Sequence, residues 1–436
     1  MDTYNFYNKV AVTVGCNNNR GSGCLYQPNS QDYSYILTAK HCLKGKPGEE
    51  KNFGIDDIKV MGSEELNGGC QLAVIDYLVH DQLDIAIVIV EYICNFPNYL
   101  IANPDPRHPG TLNGYPQFMD GDRKSLKCSV HEWSPTKPEF EIIVTHGQLI
   151  NYGNNETNLA EGFSGSGVFN EIDGQPLLIG IFPAFKADSG AYQSLEVIKA
   201  EEFNQLLEGT GKAYLVPSYL ASFRDHIAPA FEFRSENIAM LLSQRAEEIM
   251  EITPMTIKEL FNEKLVLPYG NVDLNEKNLW IGWITLLTYL YIESGNGNLQ
   301  KLLVRDKKGQ RQDVKLFYVN THKRLEDLFK LIMRDNKIYN EIGPSDCIVI
   351  NHEGKSGEIV RLSEKKMSKI VTDIGIPKLK FMHKIPNIDQ HTISKNISLI
   401  HVDSFTDEFK KLVDIEDFEE LEEHLKSSIR GVFNNE

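Results

Sequence analysis

The chain has 436 residues, 61 of them acidic against 45 basic, for a formal net charge of −16. That length predicts two or three domains, and 41% hydrophobic with 24% charged residues predicts full soluble cores. The acidic balance argues against a general nucleic-acid binder, which needs a basic face, and against attraction to anionic membranes.

The elements follow in chain order. The start, MDTYNFYNKVAVTV, lacks a charged region followed by a long apolar stretch, so no signal peptide is expected. KVAVTVG, GCLYQP, YSYILTA, IKVMG, CQLAVIDYLV and DIAIVIV read as six strands before residue 91. KSLKCSVHEW, EFEIIVT, GVFNEI and PLLIGIF continue the pattern beyond residue 123. Short strands at this spacing predict a closed or sandwiched all-β unit. LEVIKAEEFNQLLEG (195–209) has apolar residues three and four apart, which predicts the first helix, with Gly209 as its stop.

Past GTGKA (209–213) the composition shifts. Residues 218–262 read as helical, most clearly SENIAMLLSQRAEEIMEI. LWIGWITLLTYLYI (279–292) is too short for a bilayer span of about 20 residues and predicts a buried helix. VKLFYV (314–319), CIVIN (347–351) and ISLIHV (397–402) read as strands. They are interleaved with helical HKRLEDLFKLIM (322–333) and FEELEEHLKSSI (418–429), the pattern of a small α/β domain. The expected division is 1–208, 209–299 and 300–436.

Seven cysteines without a CxxC pair predict reduced thiols rather than a disulfide framework or a zinc site, and a cytoplasmic location. NHEGKSG (351–357) ends like a phosphate-binding loop, but that motif's first glycine would fall on Val349, so a β-turn is the better reading. No cofactor is expected.

AEGFSGSGVF (160–169) raises the chemical question. Glycine and serine make turns, and a Ser/Gly run by itself reads as a loop. A nucleophilic serine needs a histidine to take its proton and a carboxylate to orient that histidine. His41 ends the apolar run YILTAKH, and Asp84 opens the apolar run DIAIVIV, with Asp81 as the rival carboxylate. Each also has an ordinary structural reading, as a strand-end histidine or a turn aspartate.

LTAKHC, LDIAIV and GFSGSGVF, in that order, resemble the three signature segments of trypsin-like serine proteases. GSGCLY (21–26) resembles the strand before the histidine, and NGYP (113–116) a segment of the second barrel. The closest flavour is the bacterial HtrA and glutamyl-endopeptidase branch. The resemblance covers residues 5–205 and implies two six-stranded β-barrels with the site between them. It implies Ser164 as nucleophile, His41 as base and then acid, and Asp84 as the group orienting His41. It also implies an oxyanion hole from the N–H groups of Gly162 and Ser164. Ser166 would then be a bystander. Two positions depart from the family. Phe163 stands where many extracellular members carry the aspartate that pairs with a freed N-terminus, so that activation route is not expected. Asn158 falls on the pocket floor and Phe185 on the pocket wall, which implies a narrow pocket without a counter-charge for Lys or Arg.

The second half is similar to C-terminal domains of bacterial three-component and related antiviral defence operons, on domain order and texture. Arg361, Lys365, Lys366, Lys369, Lys378, Lys380 and Lys384 gather positive charge within an acidic chain. They read as a solvated surface or as a site for an anionic effector. The expected function is an intracellular trypsin-like endopeptidase acting on a protein substrate and regulated or targeted by its C-terminal half. The alternatives are a silent protease-fold scaffold that binds peptides, and a ligand sensor with the protease as output.

Overall fold

The structure is a computed structural model that describes residues 3–45, 52–94, 96, 98–116, 122–146, 162–172, 174–184, 194–232, 235–270, 273–295, 314–320, 324–343, 346–352, 361–375 and 397–434. The chain divides into two compact units, Met1–Ser218 and Tyr219–Glu436.

The first unit is a double β-barrel. Its first sheet comprises β1 (Ala11–Cys16), β2 (Asn19–Tyr26), β3 (Tyr33–Thr38), β4 (Ile58–Met61), β5 (Gln71–Leu72), β6 (Val74–Val79) and β7 (Ala86–Glu91). These run antiparallel in the order β5-β4-β1-β2-β3-β7-β6 and curl into a nearly closed barrel. β4 alternates buried Ile58 and Val60 with exposed Lys59 and Met61, the mark of one wet face. β3 and β7 are apolar almost throughout because both of their faces are covered, and Ile36, Leu37, Ile87, Val88 and Ile89 share one core.

The second barrel comprises β8 (Gly110–Gly114), β9 (Lys124–Glu132), β10 (Glu139–His146), β11 (Ser166–Ile172), β12 (Gln175–Phe182) and β13 (Ser194–Lys199), closed in the order β10-β13-β12-β11-β8-β9. β13 corrects the helix expected over 195–209. Its Val197 pairs with Phe140 and its Ile198 with Ile181, so this strand carries the ladder across the last gap in the barrel. Two waiting partner edges and β-branched Val197 and Ile198 override a weak helical periodicity. Helical turns begin only at Ala200–Phe203 and Asn204–Leu207. A helix unforeseen from the sequence, Thr3–Val10, lays Phe6 and Tyr7 edge-on against Phe169 of β11 (ring centroids 5.6 and 5.4 Å).

In the second unit, β14 (Val314–Val319), β15 (Cys347–His352) and β16 (Ser398–His401) form a parallel sheet in chain order. Helices Leu325–Arg334 and Glu364–Gly375 cover one face, burying Leu328, Phe329, Met367 and Ile370 with Phe317, Ile348, Ile350 and Leu399. Helix Lys277–Ser294 is the apolar run expected to be buried, and it lies against the other face. No described helix is long and apolar enough to cross a membrane.

The close fit of that helix makes a sign prediction. Alanine for glycine inside a helix ordinarily gains about 1 kcal/mol. A Cβ on Gly282, however, would overlap Asn351 Nδ2 and sit 2.8 Å from its Cγ. Asn351 is 7% exposed, and its amide donates to the Asn278 carbonyl at 2.6 Å. Gly282→Ala is therefore expected to lower stability by about 1–2 kcal/mol in urea unfolding, because breaking that bond leaves the buried Asn351 amide without this partner.

Candidate active site

Strand register brings the first two candidates together. β3 and β7 pair with Thr38 opposite Ala86, so the chain leaving β3 lies beside the chain entering β7. His41 opens the single helical turn His41–Lys44 just after β3, and Asp84 lies two residues before β7 begins. The His41 ring nitrogen Nδ1 lies 2.8 Å from Asp84 Oδ2. The His41 backbone N–H donates to the other oxygen, Oδ1, at 3.0 Å. A carboxylate held by both groups favours the proton on Nδ1, which leaves Nε2 as the basic nitrogen of the neutral ring. Burial opposes a charged imidazole, but the Asp84 bond and the neighbouring Cys42 outweigh it, so the His41 pKa is raised. Burial likewise opposes the Asp84 carboxylate, and the bonds and charge of His41 outweigh that and lower its pKa. Asp81, the rival carboxylate, is exposed and meets Lys40 Nζ through its backbone carbonyl at 3.3 Å.

Ser164 comes from the other barrel, in the turn that opens β11. Gly162 (φ 90°) and Gly165 (φ 88°) bracket it in backbone conformations that side chains rarely adopt. Phe163, between them, is 1% exposed and packs in the second barrel core with Leu112, Val168 and Phe182. The turn is held by Gly165 N–H to Phe182 O (2.8 Å) and Ser166 N–H to Phe163 O (2.8 Å). The first barrel holds it too, through Ser22 N–H to Ser164 O (2.7 Å) and Ser22 Oγ to Gly162 O (2.6 Å). A Cβ on Gly165 would overlap the Ser22 carbonyl oxygen and Thr38 Oγ1.

Cys42 spans the remaining gap. Its sulfur lies 4.0 Å from His41 Nε2 and 3.6 Å from the Ser164 carbonyl oxygen. His41, Asp84 and Ser164 are thus gathered where the barrels meet. Ser164 is half-buried, and its hydroxyl has no hydrogen-bond partner among the described residues. Bonds of this kind are often long in free enzymes and tighten when substrate arrives. The N–H groups of Gly162 and Ser164 likewise have no acceptor among the described residues.

Ser166 is fully buried in β11, its hydroxyl facing Gly114 and without a hydrogen-bond partner among the described residues. Asn158 and Phe185 lie outside the described residues, as do Lys378, Lys380 and Lys384. Of the basic group in the second unit, Arg361 donates to the Val432 carbonyl and Lys366 pairs with Glu326 at 3.0 Å. Lys365 and Lys369 are exposed. Among the described residues, no three His, Cys, Asp or Glu side chains converge to hold a metal ion. GSGCLY has its place before the histidine in the sequence, but the segment by itself does not show that Ser22 grips the Ser164 turn. The Gly-Ser-Gly run was the available signal, since a serine flanked by glycines suits close backbone approach.

Residues 197–410 match the family model described as C-terminal domain 4 of the ABC-three component (ABC-3C) systems. That match begins inside β13 of the second barrel and runs through the parallel sheet of the second unit. A comparison with curated proteins found no match. Among solved structures, the chain is similar to Rv3671c from M. tuberculosis H37Rv in its inactive form, at 16% identity and a TM-score of 0.31, covering 47% of this chain and 89% of that one. It is also similar to the serine endoprotease from Yersinia pestis, at 17% identity and a TM-score of 0.33, covering 48% of this chain and 66% of that one.

Two outcomes follow from this geometry without assuming any activity. Gly165→Ala forces a Cβ into a backbone carbonyl at positive φ, and is expected to cost more than about 3 kcal/mol in thermal unfolding. In proton NMR the His41 ring is expected to titrate above the ordinary value of 6.5, and Asp84→Asn to bring that titration down. The sign follows from linkage. The raised His41 pKa stabilises the fold fully below 6.5, and that share is lost as pH rises through the raised value.

Proposed function

We propose that the first unit is a serine endopeptidase working through an acyl-enzyme. The observation that carries this reading is the Asp84 carboxylate gripping both the ring and the backbone of His41, beside a glycine-bracketed Ser164 on the facing barrel. His41 Nε2 takes the Ser164 proton as Oγ attacks the substrate carbonyl, then returns it to the leaving amine. Asp84 fixes the tautomer and stabilises the imidazolium. The N–H groups of Gly162 and Ser164 receive the oxyanion, each such donor being worth about 3–4 kcal/mol. Phe163, anchored in the barrel core, supports a turn that is set without a freed N-terminus.

The substrate class is a protein or peptide, as the resemblance of the three segments to trypsin-like serine proteases implies. Asn158 and Phe185 belong to this reading as pocket floor and wall. We place the protein in the cytoplasm, as an effector of a bacterial antiviral system whose second unit regulates or targets it. The match of residues 197–410 to an ABC-three component C-terminal domain supports that setting, and a partner component of the same system is the natural substrate. Exposed Lys365 and Lys369 supply charge for an anionic effector. The rival reading, a peptide-binding scaffold, draws on the absence of a Ser164–His41 hydrogen bond.

A fluorophosphonate separates the two. The wild type is expected to be labelled and Ser164→Ala not, with ester hydrolysis falling by at least about 10³-fold in the variant. Labelling is expected to slow as pH falls and His41 gains its proton. An unlabelled wild type would favour the scaffold.

A further inference from the structure

Ser22 is fully buried on β2 of the first barrel, yet its hydrogen bonds reach the second. Its hydroxyl accepts from the Tyr115 N–H at 2.8 Å, so its single proton goes to the Gly162 carbonyl at 2.6 Å. Its backbone N–H holds the Ser164 carbonyl at 2.7 Å. Its backbone carbonyl takes Thr38 Oγ1 at 2.7 Å and is the surface against which Gly165 is pressed. One residue therefore grips the carbonyls on both sides of Phe163.

Consecutive peptide planes of the turn are each fixed by their carbonyl. Ser22 Oγ holds plane 162–163, Ser166 N–H holds plane 163–164, and Ser22 N–H holds plane 164–165. The Ser164 N–H belongs to the middle plane, and the Gly162 N–H adjoins the first. Gly162 has φ 90° and no side chain, so at its Gly162 end the 162–163 plane is restrained through the Ser22 hydroxyl, while Phe163 anchors its other end in the barrel core. Release of that carbonyl would let the Gly162 and Ser164 N–H groups diverge. Misalignment of such donors costs transition-state stabilisation rather than substrate binding.

We propose that Ser22 is a positioning residue whose hydroxyl aims the Gly162 and Ser164 N–H groups at a common oxyanion; this rests on the serine-endopeptidase reading. Ser34 is the matched control. It is fully buried in the same barrel, its hydroxyl donates to Gln27 Oε1 at 2.7 Å and accepts from the Ile93 N–H at 3.0 Å, and it touches none of the candidate site.

The test uses the full chain as wild type, Ser22→Ala, Ser22→Cys, Ser34→Ala and Ser164→Ala. Three quantities are read on each: the rate of fluorophosphonate labelling, kcat and KM for p-nitrophenyl acetate, and Ki for phenylboronic acid, which binds as a tetrahedral adduct. Thermal midpoints are recorded alongside. Ser22→Ala is expected to slow labelling and kcat by about 10- to 100-fold, to leave KM near wild type and to weaken the boronate by a similar factor. Ser22→Cys, nearly isosteric with a weak S–H donor, is expected to fall between. Ser34→Ala is expected to lower the thermal midpoint comparably while keeping wild-type rates. Rates for folded Ser22→Ala or Ser22→Cys within threefold of wild type, or equal losses in Ser34→Ala, would overturn the inference and leave the nucleophile standing. A wild type labelled no more than Ser164→Ala would overturn the nucleophile reading and this inference with it.

Discussion

The site exists because two backbones touch with no side chain between them. Gly165 meets the carbonyl of Ser22, and Gly21 lies where a Cβ would meet Cys42 Sγ and, at 2.7 Å, the Ser164 oxygen. At that contact the first barrel, which owns His41 and Asp84, reaches the second, which owns Ser164. Wider residues would push the barrels apart by the diameter of a methyl group. A hydrogen bond needs heavy atoms about 3 Å apart, so that much separation would keep His41 and Ser164 from approaching one.

Packing rather than covalent bonding maintains the contact. All seven cysteines are free thiols. Burial pushes the Cys24 and Cys128 thiols up to about 12, so both behave as small apolar side chains. Helix Thr3–Val10 braces the seam with aromatic rings. Phe6 meets Tyr99 at 5.2 Å, both Phe6 and Tyr7 meet Phe169, and the Tyr7 carbonyl accepts from the Asn113 side chain of β8 at 2.8 Å. β11 thus has Ser164 just before its entrance and the brace at its middle.

The second unit solves a different problem with the same means. Helix Lys277–Ser294 buries Trp280, Trp283, Leu287 and Tyr289, so it must be surrounded on most sides. The parallel sheet takes one side, where Gly282 admits Asn351. Phe405 and Phe409 close on Tyr289 at 4.7 and 5.4 Å. Arg245 clamps Glu422 to join helices Glu236–Glu247 and Phe418–Asn434.

Much of this was readable from residue order. Alternating strands announced the first unit, and the run at 279–292 announced a buried helix because eleven apolar residues in fourteen have no other soluble home. His41, Asp84 and Ser164 could be named as candidates because their three segments, in order, resemble the signatures of trypsin-like serine proteases. Three things were decided only by tertiary structure. Residues Ser194–Lys199 became a strand because two partner edges awaited them in the barrel. Asp84 rather than Asp81 met His41 because β3 and β7 pair in one register, and a shift along the strand would change which carboxylate arrives. Ser22 gained its grip on Gly162 because residues 140 positions apart came into contact. Local sequence sets propensity and the chemistry each side chain offers; which groups meet is set by long-range pairing, which no local pattern encodes.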